Sequence, residues 1–129
     1  MAINNIVTLD GRISQEPKLF ENSDGSHKLV GKIAVTRTYA DRNGEYKTDY
    51  IAFQKYLRKS MSTAQVDRFA ALNQGDLVRI MGTLRNNNHV DKETDEMIYE
   101  TIIEMDDFYA KESKTAKAER QARVAAAEA

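Results

Sequence analysis

The sequence predicts an all-β protein: a small closed barrel of five strands with one short helix, followed by an Ala-rich C-terminal tail that is helical or disordered. Three observations carry that prediction. Five segments rich in β-branched residues alternate apolar and polar positions, as half-buried strands do. The period changes to helical once, between the third segment and the fourth. The fourth then holds an internal glycine, which in a strand marks a bulge or a sharp bend.

The first strand runs from Ile3 to Ile13, with Val7, Leu9, Gly11 and Ile13 on one face. Ser14 to Ser26 contains Pro17 and an Asn-Ser-Asp-Gly-Ser cluster and reads as turns. The second strand spans Lys28 to Tyr39. Asp41-Arg42-Asn43-Gly44 is a hairpin signal, with Gly44 suited to positive φ. Lys47 to Leu57 is the third strand, and its alternation puts Ile51 and Phe53 on the core side, with Tyr50, Ala52, Gln54 and Tyr56 on the other. Ser60 to Leu72 carries Val66, Phe69, Ala70 and Leu72 at helical spacing, with a Ser or Thr cap near 62–63 and Gly75 as its stop. Asp76 to Arg85, containing Gly82, is the fourth strand; Asn86 to Asp95 is a polar, mobile loop; Glu96 to Met105 is the fifth strand. The order β-β-β-α-β-β suits a barrel of the oligonucleotide-binding (OB-fold) type. Phe53 and Phe69 are expected in the core, with Phe108 closing it. Tyr99 is expected to be structural, and Phe20, beside a turn cluster, is left unassigned. Residues 1–109 form one domain on this reading. Residues 110–129 form a tail with high helix propensity and no apolar stripe to dock it.

Composition narrows the function classes. The chain has no cysteine, so disulfides, thiolate metal sites and cysteine nucleophiles are excluded. The opening MAINNIVTLDG has neither a basic head nor a long apolar run, and a soluble cytoplasmic protein is expected. The net charge of −1 announces no partner, but its distribution is uneven. Residues 28–59 hold eight Lys/Arg against three acids, and residues 91–107 hold eight acids against one lysine. Charge alone fits ordinary solvated faces, although a dipolar domain binds phosphates at modest net charge.

Residues 33–56 add aromatics to that basic run: Tyr39, Tyr46, Tyr50 and Tyr56, four of the six tyrosines, are interleaved with cations. Flat rings among exposed cations suit stacking of unpaired bases and neutralisation of phosphates. Tyr50 and Tyr56 lie on one strand face six residues apart, ~20 Å at strand rise, and so reach separate, non-adjacent nucleotides.

Four motifs in order resemble the bacterial single-stranded DNA-binding protein family, of the kind also carried by phages and conjugative plasmids. Asn5 to Ile13 with Gln15-Glu16-Pro17 is similar to the family's opening strand and turn. Ile33 to Tyr39 is similar to its second strand, and Gly44-Glu45 with Thr48-Asp49-Tyr50-Ile51 to the entry of its third. Gly75 to Arg85 is similar to its fourth, so the resemblance covers roughly residues 4–108. It implies an OB-fold barrel that holds single-stranded DNA without strong sequence preference. By position it implies base stacking at Tyr50 and Tyr56, and near Tyr39. His89 falls close to a position where many members carry tryptophan. Phosphate contacts fall to Arg37, Lys55, Arg79 and Arg85, with Lys32 beside them in the basic run. A homo-oligomer or assembly along DNA is also implied. The departures are the absence of tryptophan and an Ala-Ala-Ala-Glu-Ala ending where family members carry an acidic tail with a hydrophobic tip. Recruitment of replication and repair enzymes is therefore not expected.

On the residues alone, His89 is a solvated loop histidine, and as a metal ligand it lacks a partner at suitable spacing. Asp91, Glu93, Asp95 and Glu96 lack the ligand spacing and the glycine of an ion-binding loop. No nucleophile, acid–base pair or phosphate loop stands out, so a non-enzyme without cofactor is expected. The leading function is coating of exposed single strands during replication, recombination or plasmid or phage DNA transfer. A protein-assembly module and a single-stranded RNA binder are the alternatives, since stacking and phosphate contacts do not report the 2′-hydroxyl.

Overall fold

The computed structural model describes residues 4–128; the expected start of the first strand at Ile3 lies outside them. The elements are β1 (Val7–Ile13), β2 (Lys18–Glu21), β3 (His27–Thr36), β4 (Thr48–Leu57), α1 (Ala64–Ala70), β5 (Leu77–Asn86), β6 (His89–Val90), β7 (Met97–Ile98), β8 (Thr101–Ala110) and α2 (Lys114–Glu128). The five long strands run β1-β5-β8-β4-β3, and β3 returns to β1 through Arg12↔Ala34 and Ile13↔Ile33, which closes the barrel. Neighbours are antiparallel except β4 and β8, which pair in parallel at Phe53↔Ile103 and Gln54↔Glu104.

The inward side chains make one core of Ile13, Leu29, Ile33, Phe53, Leu57, Val66, Phe69, Val78, Ile80, Ile103 and Met105. Helix α1 plugs the barrel with Val66 and Phe69. Phe69 meets Phe53 and Phe108 edge to face, with ring centroids 5.3 and 4.7 Å apart, a geometry worth about 0.5–1.5 kcal/mol per pair beyond burial. The β5–β8 register shifts between Met81 and Gly82. A Cβ at Gly82 would collide with the Glu104 carbonyl, so the glycine is what lets these strands bend into contact. Gly44 takes φ +77° in the β3–β4 hairpin, as its turn signal implies.

Four local expectations change. The turn region after Pro17 contains β2, a short edge strand pairing Lys18↔Val30 and Phe20↔Lys28, too short to show a period. The expected mobile loop holds β6 and the turn of the β6–β7 hairpin, with Asp95 at φ 61°, while β7 falls inside the expected fifth strand. The fifth long strand begins at Thr101, not Glu96. Its inward residues run Ile103, Met105, then Phe108, and the irregularity opposite Met81/Gly82 breaks the alternation. Tyr99 consequently lies outside any strand and is 77% exposed, which corrects its structural reading.

The tail is an ordered helix, held by charge. Asp76, only 3% exposed, accepts hydrogen bonds from the Asn73 N–H (2.8 Å), Lys117 Nζ (2.7 Å) and Arg120 Nη2 (2.8 Å). Glu112 accepts the Leu77 N–H (3.1 Å) and both arms of the Arg120 fork (2.9 and 3.0 Å). Its docking thus needs no apolar stripe. Among the described residues, no helix is long and apolar enough to cross a membrane.

Candidate nucleic-acid interface

Strand alternation builds the site. With Leu29, Ile33, Phe53 and Leu57 turned inward, the even-numbered residues of β3 and β4 face out. Register then aligns them in rows: Ala34 with Tyr50, Lys32 with Ala52, Val30 with Gln54, Lys28 with Tyr56. On either side the face continues, with Arg12 of β1 beside Ala34 and with Lys18 and Phe20 of β2 beside Val30 and Lys28. Tyr50 is 66% exposed and Tyr56 48%. Their rings are far more open than a packing role requires. A shallow depression of about 440 Å³ lies beside Tyr50, bordered by Arg12, Ala34, Thr36 and Thr48.

The structure therefore brings Tyr50, Tyr56 and Lys32 to one face. Tyr39 lies beyond β3 in the exposed hairpin tip, and His89 sits on the separate β6–β7 hairpin. His89 Nδ1 is 3.0 Å from the Asn87 carbonyl oxygen and 3.9 Å from Glu100. The cations divide sharply. Arg37 forks onto Asp49 (3.0 and 2.9 Å), and Arg79 forks onto Asp10 (2.7 and 2.9 Å), which Lys111 also reaches at 2.9 Å. These forks raise both arginines further above their ordinary range. They also lower the carboxyl of Asp49 and hold that of Asp10 well below the usual carboxylate range, for Asp10 through Arg79 first and Lys111 second. Lys55 alternates to the opposite side of β4 and donates to the carbonyls of Met105 and Asp106 (3.2 and 3.3 Å). Lys32, Lys28 and Lys18, by contrast, make no side-chain hydrogen bond or ion pair among the described residues.

Arg85 is drawn toward Tyr56 by a residue that sequence reasoning did not single out. Glu104 of β8 accepts the Tyr56 backbone N–H (3.2 Å) on one oxygen. The other oxygen accepts Gln54 Nε2 (3.1 Å) and Arg85 Nη1 (3.4 Å). One carboxylate thus ties β4, β5 and β8 together beneath Tyr56. The β4–β8 pairing that creates it joins residues 50 apart in sequence, which no local pattern announces. Arg12, Lys18, Lys28 and Phe20 were likewise missed as site residues; Lys28 was visible only as part of the basic run.

A closed five-stranded barrel plugged by one helix, with open tyrosines and free lysines on its β3–β4 face, is an OB-fold protein built to present a flat aromatic and cationic surface. The chain belongs to the single-strand binding protein family, whose model matches residues 4–110. It is 26% identical over 118 residues to a single-stranded DNA-binding protein of Enterococcus faecalis, covering 92% of this chain and 59% of that one. It is 28% identical over 85 residues to the single-stranded DNA-binding protein A of Bacillus subtilis, covering 66% and 46%. The chain thus spans about half to three-fifths of the length of these relatives. A small single-stranded DNA-binding protein from Streptomyces coelicolor shares the fold in its crystal structure, with a TM-score of 0.60 and 17% identity over 84% of this chain and 95% of that one.

Proposed function

We propose that the chain binds single-stranded DNA without strong sequence preference, coating exposed strands during replication, recombination or plasmid or phage DNA transfer. Residues 1–109 are the binding domain in this reading and 110–129 an appended tail. The observation that carries it is the pair of open tyrosines, Tyr50 and Tyr56, on one outer face with unpaired lysines between their rows. Family membership and the names of the relatives support it. Bases stack on the two rings, with Tyr39 and His89 as outlying platforms, and the backbone tracks the cations. Lys32 is available to a phosphate at once. Arg37 and Arg79 must first exchange carboxylates for phosphates, Lys55 must leave two carbonyls, and Arg85 must leave Glu104. No bond is made or broken and no cofactor takes part.

The test is titration of a labelled oligo-dT at several salt concentrations, with duplex and oligo-U of matched length as competitors. Binding should weaken with salt and prefer the single strand. Replacing Tyr50 and Tyr56 together with alanine should weaken it by more than tenfold, since stacking is worth about 1–3 kcal/mol per base. Equal affinity for duplex, or an unchanged double variant, refutes this mechanism; a win for oligo-U reassigns the ligand to RNA.

A further inference from the structure

We propose that Phe20, on the outer face of edge strand β2, is a further base-stacking position, with Lys18 and Lys32 holding the phosphates of the nucleotide seated there. The proposal rests on the single-strand-binding reading above. Alternation along β2 turns Leu19 into the core and Phe20 out, where its ring is 51% exposed. A polar residue is the ordinary occupant of such a position, and the exposed ring is open to a ligand. Phe20 pairs with Lys28, and Lys28 with Tyr56, so the two rings stand two strand spacings apart, about 10 Å, with a free cation between them.

Beside Phe20 lies a groove of about 310 Å³, lined by Lys18, Val30, Lys32 and Ala52 together with the carboxylate-bearing Glu16. That volume is at the small end of ligand sites, about 300–1,000 Å³. The small outward residues of β3 and β4 keep its floor low, so a flat base can lie against the Phe20 ring. The groove occupies the stretch between the Tyr56 row and the Tyr50 row, a gap of ~20 Å in which the tyrosines alone leave bases unsupported. The lysines that flank it lack protein partners among the described residues, whereas Arg37 and Arg79 are already neutralised. Charge and ring together fit an unpaired nucleotide.

The chain contains no tryptophan, so Phe20→Trp introduces the protein's one indole at the proposed contact. Binding of oligo-dT, followed independently by anisotropy of a label on the DNA, should quench that emission. Val124→Trp on α2 should show no change on the same titration. Phe20→Ala should bind about tenfold more weakly with the barrel's circular dichroism unchanged. Full binding by anisotropy with silent indole emission and unchanged Phe20→Ala affinity overturns the proposal and leaves the DNA-binding reading standing. Absence of binding in the unsubstituted chain overturns both. Equal quenching at positions 20 and 124 overturns the proposal as non-local. A change in emission with protein concentration alone gives the groove to a second copy of the chain, and also overturns it.

Discussion

Replacing Arg120 with alanine should unfasten α2 from the barrel at a cost of about 2 kcal/mol. Arg120 makes two bonds to Glu112 and one to Asp76, and the three side chains are 20%, 13% and 4% exposed. The clamp therefore lies between the exposed limit of about 0–1 kcal/mol per pair and the about 3–5 kcal/mol lost when a buried pair loses one partner. The lower part of the buried range applies, because Asp76 keeps Lys117 and the Asn73 N–H, and Glu112 keeps the Leu77 N–H. Helix propensity does not oppose the change, since alanine is the best helix former. Denaturant unfolding of the full chain should show the loss, and the melting temperature should fall by about 8 °C at roughly 4 °C per kcal/mol for a chain of this size.

Coupling sharpens the test. Lys117→Ala alone should cost about 1 kcal/mol, as its amine is the more exposed partner. Removing both cations leaves the Asp76 carboxylate buried with one backbone donor, so the double variant should exceed the sum of the singles, reaching about 4 kcal/mol. Changes within about 0.5 kcal/mol for Arg120→Ala, or strict additivity in the pair, would refute the clamp.

Two further outcomes follow from the same geometry. Burial pushes the Asp76 carboxyl up, but the Asn73 N–H, Lys117 and Arg120 outweigh it and hold it below its ordinary value of 3.8; the Arg120 fork, against a smaller effect of burial, does the same for Glu112, whose ordinary value is 4.5. The folded chain therefore binds these protons less readily than the unfolded one, and their contribution is complete above the ordinary carboxylate values and is lost as pH falls through the depressed ones. Helical circular dichroism and stability should hold from neutral pH to about pH 5 and drop below about pH 4; a loss already present at pH 6 would contradict this. Asp49→Asn should release Arg37 from its fork, tighten oligo-dT binding a few-fold at low salt, and steepen the salt slope by about 0.7 if one phosphate is gained. An unchanged slope would mean that Arg37 does not meet the backbone.

Local pattern made the barrel legible, and distance hid the rest. β3, β4 and β5 each repeat their apolar period long enough to be seen, and Gly82 marked the bend because a glycine inside a strand has few other uses. β8 was displaced because the bend's other half, on the partner strand, interrupts the period with no special residue to mark it. β2 was invisible because four residues hold too little period, and with it went the placement of Phe20. The anchoring of α2 escaped for another reason. Lys117 and Arg120 look like solubilising charges until Asp76 is known to be buried, and that carboxylate looked like the ordinary polar start of a strand.

The site divides along the same line. Alternation alone placed Tyr50 and Tyr56 on the outer face, because a side chain's face within a strand is a local property. Whether a cation is free is a property of pairs: Asp10 and Arg79 are 69 residues apart, and Gln54 and Glu104 are 50 apart. A list of basic residues therefore overstated the charge on offer. Among the described residues, the freely available charge on this face lies with Lys18, Lys28 and Lys32, on the β2 and β3 side of the tyrosines; on the binding function proposed above, that asymmetry would lead a strand across β3 toward β2.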